Sequence, residues 1–295
     1  MKYSIIIPTW NGEKLLRKNL PQVLSAIGKQ EAEVIVVDNG STDGSVEFLE
    51  KTTKNSIMNR FIRLKKNYGF AYACNLGVKR ARGEIIALLN NDVVPEKGFL
   101  APLAGHFQNN EVFAVSFHEP QFSWAWGEFR DGFLKHQPGP KTKTSHISLW
   151  ASGGSGAFRK RIWQQLEGFD LLYHPFYWED VDLAYRAWKR GYQVLWEPKS
   201  VVHHRHESTV SRFSKTYIDR IKQRNALLFI WKNITDQKLI QNHRRYLKKR
   251  IVAKPGYFQI LAAALLKFPQ VIARRQQEKK AAVKQDREIF NLFTK

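Results

Sequence analysis

The stretch Val34-Ile35-Val36-Val37-Asp38-Asn39-Gly40-Ser41-Thr42-Asp43-Gly44-Ser45 decides the fold. Four β-branched apolar residues in a row read as a strand buried on both faces, the signature of a parallel sheet covered by helices. The acidic, glycine-containing turn ends that strand, and a helical pattern opens at Ser45 and runs to residue 52. Taken alone, the turn is better explained by a helix cap at Ser41 or Asp43 than by a binding site.

Outward from this point the same alternation repeats. Strand patterns occupy residues 3–7, 33–37, 61–64 and 85–89, and helical patterns 13–27, 45–52 and 70–82, with Gly28 and Gly83 where helices stop. This is an open, doubly wound, Rossmann-like α/β half. Ligands in such sheets bind beyond the carboxyl ends of the strands, where backbone groups and polar loops are exposed. Three of those ends carry polar clusters: Pro8-Thr9-Trp10-Asn11, the Asp38 turn, and Asn90-Asn91-Asp92. A carboxylate at the last position suits a divalent cation held against a diphosphate.

The alternation breaks down over residues 112–158, which are rich in aromatics, Gly and His. Strand-like pieces at 112–117 and 126–135 predict extra sheet and loop closing over the site. Helical patterns at 159–166 and 180–190 flank a loop at 168–179, and 194–204 reads as extended. Beyond residue 211 the chain is helical and basic. Neither an internal repeat nor a low-complexity tract stands out.

At 295 residues with 43% hydrophobic content, the chain has material for one main domain and an extension. Its single cysteine, Cys74, excludes an intramolecular disulfide and sits in a helical pattern, so it reads as a small packing residue. The apolar segment before Pro8 is too short for a signal peptide. The longest apolar run elsewhere is the seven residues 260–266, whereas a membrane-spanning helix needs about 20. The expectation is a cytoplasmic protein that lies against the inner face of the membrane without crossing it.

Net charge is +22, and residues 212–295 carry 21 Lys and Arg against 5 Asp and Glu. Arg244-Arg245 and Lys248-Lys249-Arg250 precede Phe258, Leu261, Leu265, Phe268 and Ile272, whose spacings of three and four place them near one helical face, widened by Tyr257, Ile260 and Leu266. Such a stripe either packs on the domain or lies on anionic lipid, where each basic residue contributes about 1 kcal/mol. A pI near 10 with 9 Trp and 10 Tyr would also suit nucleic acid. The charge, however, lies in the tail while the aromatics lie mostly in the first 211 residues, so no nucleic-acid partner is expected. A Gly-rich loop ending in a phosphate-binding Lys is missing near the first strand, which argues against other nucleotide enzymes.

Two further clusters carry chemistry. Trp178-Glu179-Asp180-Val181-Asp182 opens a helix, so its acids either serve the helix dipole or reach into a cleft. Glu179 and Asp180 fall in the first turn, while Asp182 is spaced for an ion pair with Arg186. His203-His204-Arg205-His206 offers three imidazoles as candidate metal ligands. Gly153-Gly154-Ser155-Gly156 is a flexible turn or a place where backbone approaches a sugar or acceptor. Trp124, Trp126 and Trp150 either shape the acceptor side or, as the preferred reading, pack in the core.

These residues, in this order, resemble the inverting family 2 glycosyltransferases of the GT-A fold over about residues 3–210, of the kind that builds bacterial surface polysaccharides. The resemblance rests on residues 4–11, the turn at 36–45, Asn67-Tyr68-Gly69-Phe70-Ala71 with Asn75 and Gly77, residues 88–92, 153–158, Gly168-Phe169-Asp170 and the acidic helix start. It implies that Pro8, Thr9, Asn11 and Asp38 line a nucleoside pocket, with Asp38 accepting from the base. Asn67, Gly69, Asn75, Asn90 and Asn91 would border the sugar donor. The family's Asp-x-Asp motif stands here as Asn90-Asn91-Asp92, leaving Asp92 as the metal carboxylate. His204, four residues before Ser208, is implied as second ligand to Mn²⁺ or Mg²⁺ in preference to His203 and His206. Asp180 would be the general base, Glu179 its support, and Trp178 and Gly154 would lie on the acceptor side. The implied organisation is a catalytic domain over 1–210 and a basic amphipathic extension over 211–295. The implied partners are a nucleotide sugar and a glycan or lipid-linked acceptor. A non-catalytic homologue that binds glycan or lipid is the alternative, since Asn90 replaces a carboxylate.

Overall fold

Every residue of β1 (Tyr3–Thr9) is buried, because the strand lies in the middle of a sheet with helices on both faces. The structure, a computed structural model, describes residues 2–54, 60–204 and 213–293. After β1 come α1 (Glu13–Ile27), β2 (Ala32–Asp38), α2 (Ser45–Lys54), β3 (Arg60–Arg63), α3 (Phe70–Arg80) and β4 (Ile85–Leu89). These elements fall within two residues of the sequence-based bounds. β5 (Val93–Pro95), α4 (Leu103–His106), β6 (Val112–His118), β7 (Ala125–Arg130), β8 (Phe133–Pro138), β9 (His146–Ile147) and β10 (Ser155–Arg159) build the middle. Next come α5 (Lys160–Gln165), α6 (Glu179–Lys189) and β11 (Gln193–His204), then α7 (Lys215–Asn233), α8 (Gln237–Ala253), α9 (Tyr257–Leu265), α10 (Phe268–Ala281) and α11 (Asp286–Asn291).

The main sheet runs β3-β2-β1-β4-β10-β6-β11-β5, with β9 also paired to β11. β3, β2, β1 and β4 are parallel, β10 is antiparallel to both its neighbours, and β6 and β11 are parallel to each other. The carboxyl ends of β1, β2, β4, β6 and β11 therefore share one edge with the amino end of β10. That edge gathers all the polar clusters noted above.

Alternation along β1 divides the core. Ile6 points to the face covered by α3, α5, α6 and α7, whereas Ile5 and Ile7 face α1. Burying each such side chain contributes about 1.5–3 kcal/mol. Cys74 is fully buried in the first of these clusters, a packing residue as its position suggests.

The piece at 126–135 is not one strand, which corrects the sequence reading. It is a hairpin of β7 and β8 whose turn residues Asp131 and Gly132 both take positive φ, 52° and 73°. An Asp-Gly pair favours this tight reversal.

The tail also departs from the reading of one apolar stripe. α9 ends at Leu265 and α10 begins at Phe268 with Pro269 in its first turn, where a missing N–H starts a new helix rather than continuing the old one. Tyr257 and Ile260 turn inward, while Phe258 (63% exposed), Leu265, Leu266 (85%), Phe268 and Ile272 face out. Residue 211 lies outside the described residues, and α7 beyond it inserts Leu227, Leu228, Phe229 and Ile230 into the same core as Ile6 and Leu88. Among the described residues no helix is long and apolar enough to cross a membrane.

Candidate active site

A cavity of about 840 Å³ opens along the shared strand edge. Pro8, Thr9, Asn67, Gly69, Asn90, Asn91, Asp92, Gly154, Glu179, Asp180 and His204 all line it, so the structure brings together eleven of the residues singled out from the sequence.

One wall is held by amides. Asn91 Nδ2 donates to Thr9 Oγ1 at 2.9 Å, joining the ends of β4 and β1. Asn39, which the sequence reading passed over, donates from Nδ2 to Asn67 Oδ1 at 2.8 Å and to the Gly69 carbonyl at 3.2 Å, and its Oδ1 accepts from the Tyr68 amide at 2.9 Å. Asp38 lies just behind, fully buried. Its Oδ2 accepts from the Ser41 amide at 3.2 Å, while Oδ1 has no hydrogen-bond partner among the described residues. Gly154 is required for packing: a Cβ there would sit 2.4 Å from Asn90 Nδ2, and the Asn90 amide donates to its carbonyl at 2.8 Å.

Four of the expected residues do not line the cavity: Asp38, buried behind it, and three more. Asn75 does not border the cavity, because Nδ2 donates to the Phe169 carbonyl at 2.8 Å and Oδ1 accepts from the Phe169 amide at 2.9 Å. Both ends of that side chain hold the loop before α6. Asn11 also stays off the cavity wall; its Oδ1 accepts from the Thr42 amide at 2.7 Å, tying the end of β1 to the turn after β2. Trp178 packs on Phe229 of α7, ring centroids 5.1 Å apart, and the cavity wall beside it is formed by His136 and Trp150 instead. Trp150 was read as core; it lines the site.

At one end of the cavity Asp92 is fully buried and its Oδ1 faces His204 Nε2 at 3.2 Å, while its Oδ2 has no hydrogen-bond partner among the described residues. His204 Nδ1 lies 3.2 Å from Glu119 Oε1, which also accepts from Ser155 Oγ at 2.7 Å. Burial disfavours protonation of His204, but its bonds to Asp92 and Glu119 outweigh this and raise its pKa to about 9. The next residue along the strand points the other way: His203 Nε2 donates to Glu96 Oε1 at 2.9 Å on the surface. His206 lies outside the described residues.

This arrangement fits a divalent cation. An under-satisfied buried carboxylate and an imidazole meet head-on, and a carboxylate on the far ring nitrogen orients the imidazole, as at metal sites. Among the described residues no group of three or more acid, His or Cys side chains is placed to hold a metal ion, so Asp92 and His204 could supply only part of a coordination sphere. Glu119 was not anticipated; it follows a strand in a region that sequence periodicity left as loop.

At the other end, Asp180 Oδ2 accepts from the Gly153 amide at 3.3 Å and Oδ1 from the Val181 amide at 2.8 Å. Burial raises its pKa against the pull of these amides. Glu179 is more deeply buried, and burial together with the Asp180 charge pushes it up to about 8. The chain enters α6 through two strained residues, Tyr177 and Trp178, at φ 69° and 80°. Asn225 of α7 holds this entry, donating from Nδ2 to the carbonyls of Tyr173, Phe176 and Tyr177 at 2.8, 3.0 and 2.9 Å. Asp182, one turn in, pairs with Arg186 at 2.7 Å as its spacing predicts, and also with Lys232 at 2.9 Å. Despite burial, those two cations hold its carboxyl well below the ordinary range.

Solved structures share this architecture. GalNAc-T7 with UDP, GalNAc and Mn²⁺ superposes with a TM-score of 0.65 at 16% identity, over 87% of this chain and 57% of its own. The mannosyltransferase PcManGT of Pyrobaculum calidifontis, in complex with GDP-Man and Mn²⁺, gives 0.59 at 17% identity, over 96% and 86%. These identities establish a common fold, GT-A. Among sequences, the glycosyltransferase YfnE of Bacillus subtilis is 35% identical over 115 residues, 39% of this chain and 29% of that protein. The O-antigen chain rhamnosyltransferase RfbN of Salmonella typhimurium is 25% identical over 237 residues, 74% and 71% of the two chains. TarS of Staphylococcus aureus, a poly(ribitol-phosphate) β-N-acetylglucosaminyltransferase, is 34% identical over 98 residues, 31% of this chain and 16% of that one. The chain thus matches less than a third of the length of YfnE and of TarS. The model of the family described as Glycosyl transferase family 2 matches residues 4–165, more than half of the sequence, and that of Glycosyl transferase family group 2 matches 85–272. With the sheet order, the strand-edge cavity and the motif residues all falling inside these spans, the chain belongs to glycosyl transferase family 2.

Proposed function

We propose that this protein transfers a sugar from a nucleoside-diphosphate sugar to an acceptor hydroxyl with inversion, aided by Mn²⁺ or Mg²⁺. The observation that carries the reading is the opening of the Asp92–His204 pair and of Asp180 onto one cavity. Asp92 and His204 would hold the cation, which when bound would supply charge neutralisation for the departing diphosphate. Oδ1 of Asp38 has no hydrogen-bond partner among the described residues, which supports its role as acceptor for an N–H of the base, and Asn39 fixes the Asn67 and Gly69 loop. Asp180 takes the acceptor proton. Its two amide hydrogen bonds favour the carboxylate, whereas Glu179, with one oxygen lacking a hydrogen-bond partner among the described residues, keeps its proton near neutral pH. A single displacement on that base inverts the anomeric carbon.

RfbN is named for the O-antigen chain and TarS for poly(ribitol-phosphate), which supports a glycan or polyol-phosphate acceptor, lipid-linked or polymeric. The outward apolar side chains of α9 and α10, with the exposed Arg244, Arg245, Lys248 and Lys249 of α8, support contact with an anionic membrane at the cytoplasmic face. The deciding experiment incubates the full chain with a panel of nucleotide sugars, with and without Mn²⁺ or Mg²⁺, and measures nucleoside-diphosphate release. Metal-dependent release from one donor supports the transferase; none from any donor, with acceptor lipid extract present, rejects it in favour of a glycan-binding homologue.

A further inference from the structure

Beside the active-site cavity lies a second one, of about 410 Å³, lined by His118, Phe122, Ser123, Lys141, Lys143 and Trp196 among others. Phe122 and Ser123 belong to both walls, so the two spaces are adjacent. No carboxylate lines the second cavity, and among the described residues neither lysine is engaged in an ion pair. Two uncommitted ammonium groups over a concave floor make a site for an anion.

The loop that carries the lysines is anchored at both ends. The Gly139 amide donates to the Trp124 carbonyl at 2.8 Å, and Trp124 Nε1 donates to the Pro140 carbonyl at 3.0 Å. At the other end His146 stacks on the same Trp124, centroids 4.0 Å apart, and pairs in register with Trp196. Between these anchors Thr142 Oγ1 accepts from the Thr144 amide at 3.2 Å. The floor is equally fixed: His118 Nδ1 donates to the Phe122 carbonyl at 3.2 Å, and its ring meets the edge of the buried Trp196. A cationic site on a braced loop loses little entropy on binding.

We propose that this second cavity is an acceptor subsite for a phosphate group carried by the growing glycan, held by Lys141 and Lys143. The proposal rests on the transferase reading for the word acceptor. The diphosphate of the sugar donor is accounted for at Asp92 and His204, so the lysines serve another anion. That phosphate belongs either to a polyol-phosphate polymer or to the diphosphate of a lipid-linked glycan.

The test uses the full chain, wild type and Lys141→Ala/Lys143→Ala. Calorimetric titration with a synthetic tetra(glycerol phosphate), and vesicle co-sedimentation with a polyprenyl-diphosphate glycan in neutral lipid, read phosphate binding without turnover. Loss of charge-assisted hydrogen bonds from both lysines weakens binding of the matching probe about tenfold or more. In turnover the KM for the phosphate-bearing acceptor rises to the same extent, while the KM for the nucleotide sugar and for a neutral oligosaccharide acceptor stays unchanged. The first probe responding identifies a polymer phosphate, the second a lipid diphosphate. Wild-type protein that binds neither, or a double variant that binds both as well as wild type, overturns the proposal. Binding that depends on the lysines without donor turnover leaves the subsite standing and removes the transferase reading instead.

Discussion

The side-chain amide of Asn225 in α7 lies 2.9 Å from the carbonyl oxygen of Tyr177, two residues before Glu179 and three before Asp180. Two more carbonyls of the same loop share that amide nitrogen, so a helix from the basic tail fixes the strained entrance to the catalytic helix. Asn225→Ala leaves these oxygens unpaired at a cost of about 1–3 kcal/mol. We expect kcat to fall by more than the loss of folded protein accounts for, with the KM for nucleotide sugar little changed. Steady-state kinetics at a temperature where calorimetry shows the variant fully folded checks this; unchanged kcat there would mean the brace serves folding alone.

Asp180→Asn keeps the shape of the site and removes the proposed base. Turnover should drop by about 10² to 10⁴, with nucleotide-sugar affinity retained. Because burial raises the pKa of Asp180, the proposed base is protonated and lost at a higher pH than an exposed aspartate would be. The acid limb of the kcat/KM profile should therefore lie higher than for an exposed aspartate, and a limb at about pH 4 speaks against this residue as the base.

Glu179 gives a stability signature with a fixed sign. Its folded pKa of about 8 exceeds its unfolded value, so the native state binds the extra proton between the two. The stability this contributes is full below the unfolded pKa and is lost as pH rises towards and through 8. Glu179→Gln removes the titration, so the Tm of the wild type should decline more than that of the variant between pH 6 and pH 9. Parallel Tm curves would place the proton elsewhere.

Glu119 pairs with Nδ1 of His204, the ring nitrogen on the far side from Asp92. Loss of such an orienting carboxylate typically costs about 10- to 100-fold in metal affinity. Glu119→Gln should weaken Mn²⁺ binding, followed by the paramagnetic resonance of the free ion, by that order. His203→Ala, which removes a surface pair with Glu96, should leave it unchanged.

The outward apolar residues of α9 and α10 can be tested on vesicles. Leu266→Asp with Phe258→Asp should reduce sedimentation with anionic vesicles while leaving Tm close to wild type, because both side chains are largely exposed. Equal sedimentation of variant and wild type would reassign that surface to solvent or to another protein.

The parts of the fold legible in the sequence are those where local pattern and tertiary environment agree. The run 34–37 reads as a doubly buried strand because it is one, and the polar clusters after β1, β2 and β4 converge because parallel strands must end on one edge. The site residues that escaped notice are single polar groups whose roles exist only across long separations. Asn39 acts by reaching Asn67, Glu119 by reaching His204, and Asn225 by reaching a loop some fifty residues away. Asn75 misled in the opposite sense: its motif position suggested the ligand, whereas its amide is consumed by the Phe169 backbone. The Asp131-Gly132 turn was readable from its two residues and was hidden by the aromatic residues around it.

The insertion of Leu227, Leu228, Phe229 and Ile230 beneath the sheet has an evolutionary corollary. A tail that only carried charge could be exchanged between relatives without regard to the enzyme it joins. Here the helix closes the floor of the catalytic unit, and Asn225 and Lys232 reach through that floor to the loop and the first turn of α6. Grafting a foreign tail would leave a bare apolar face and unmatched polar atoms. Drift in α7 must therefore be answered by compensating change in α6, which makes the two helices heritable as a pair.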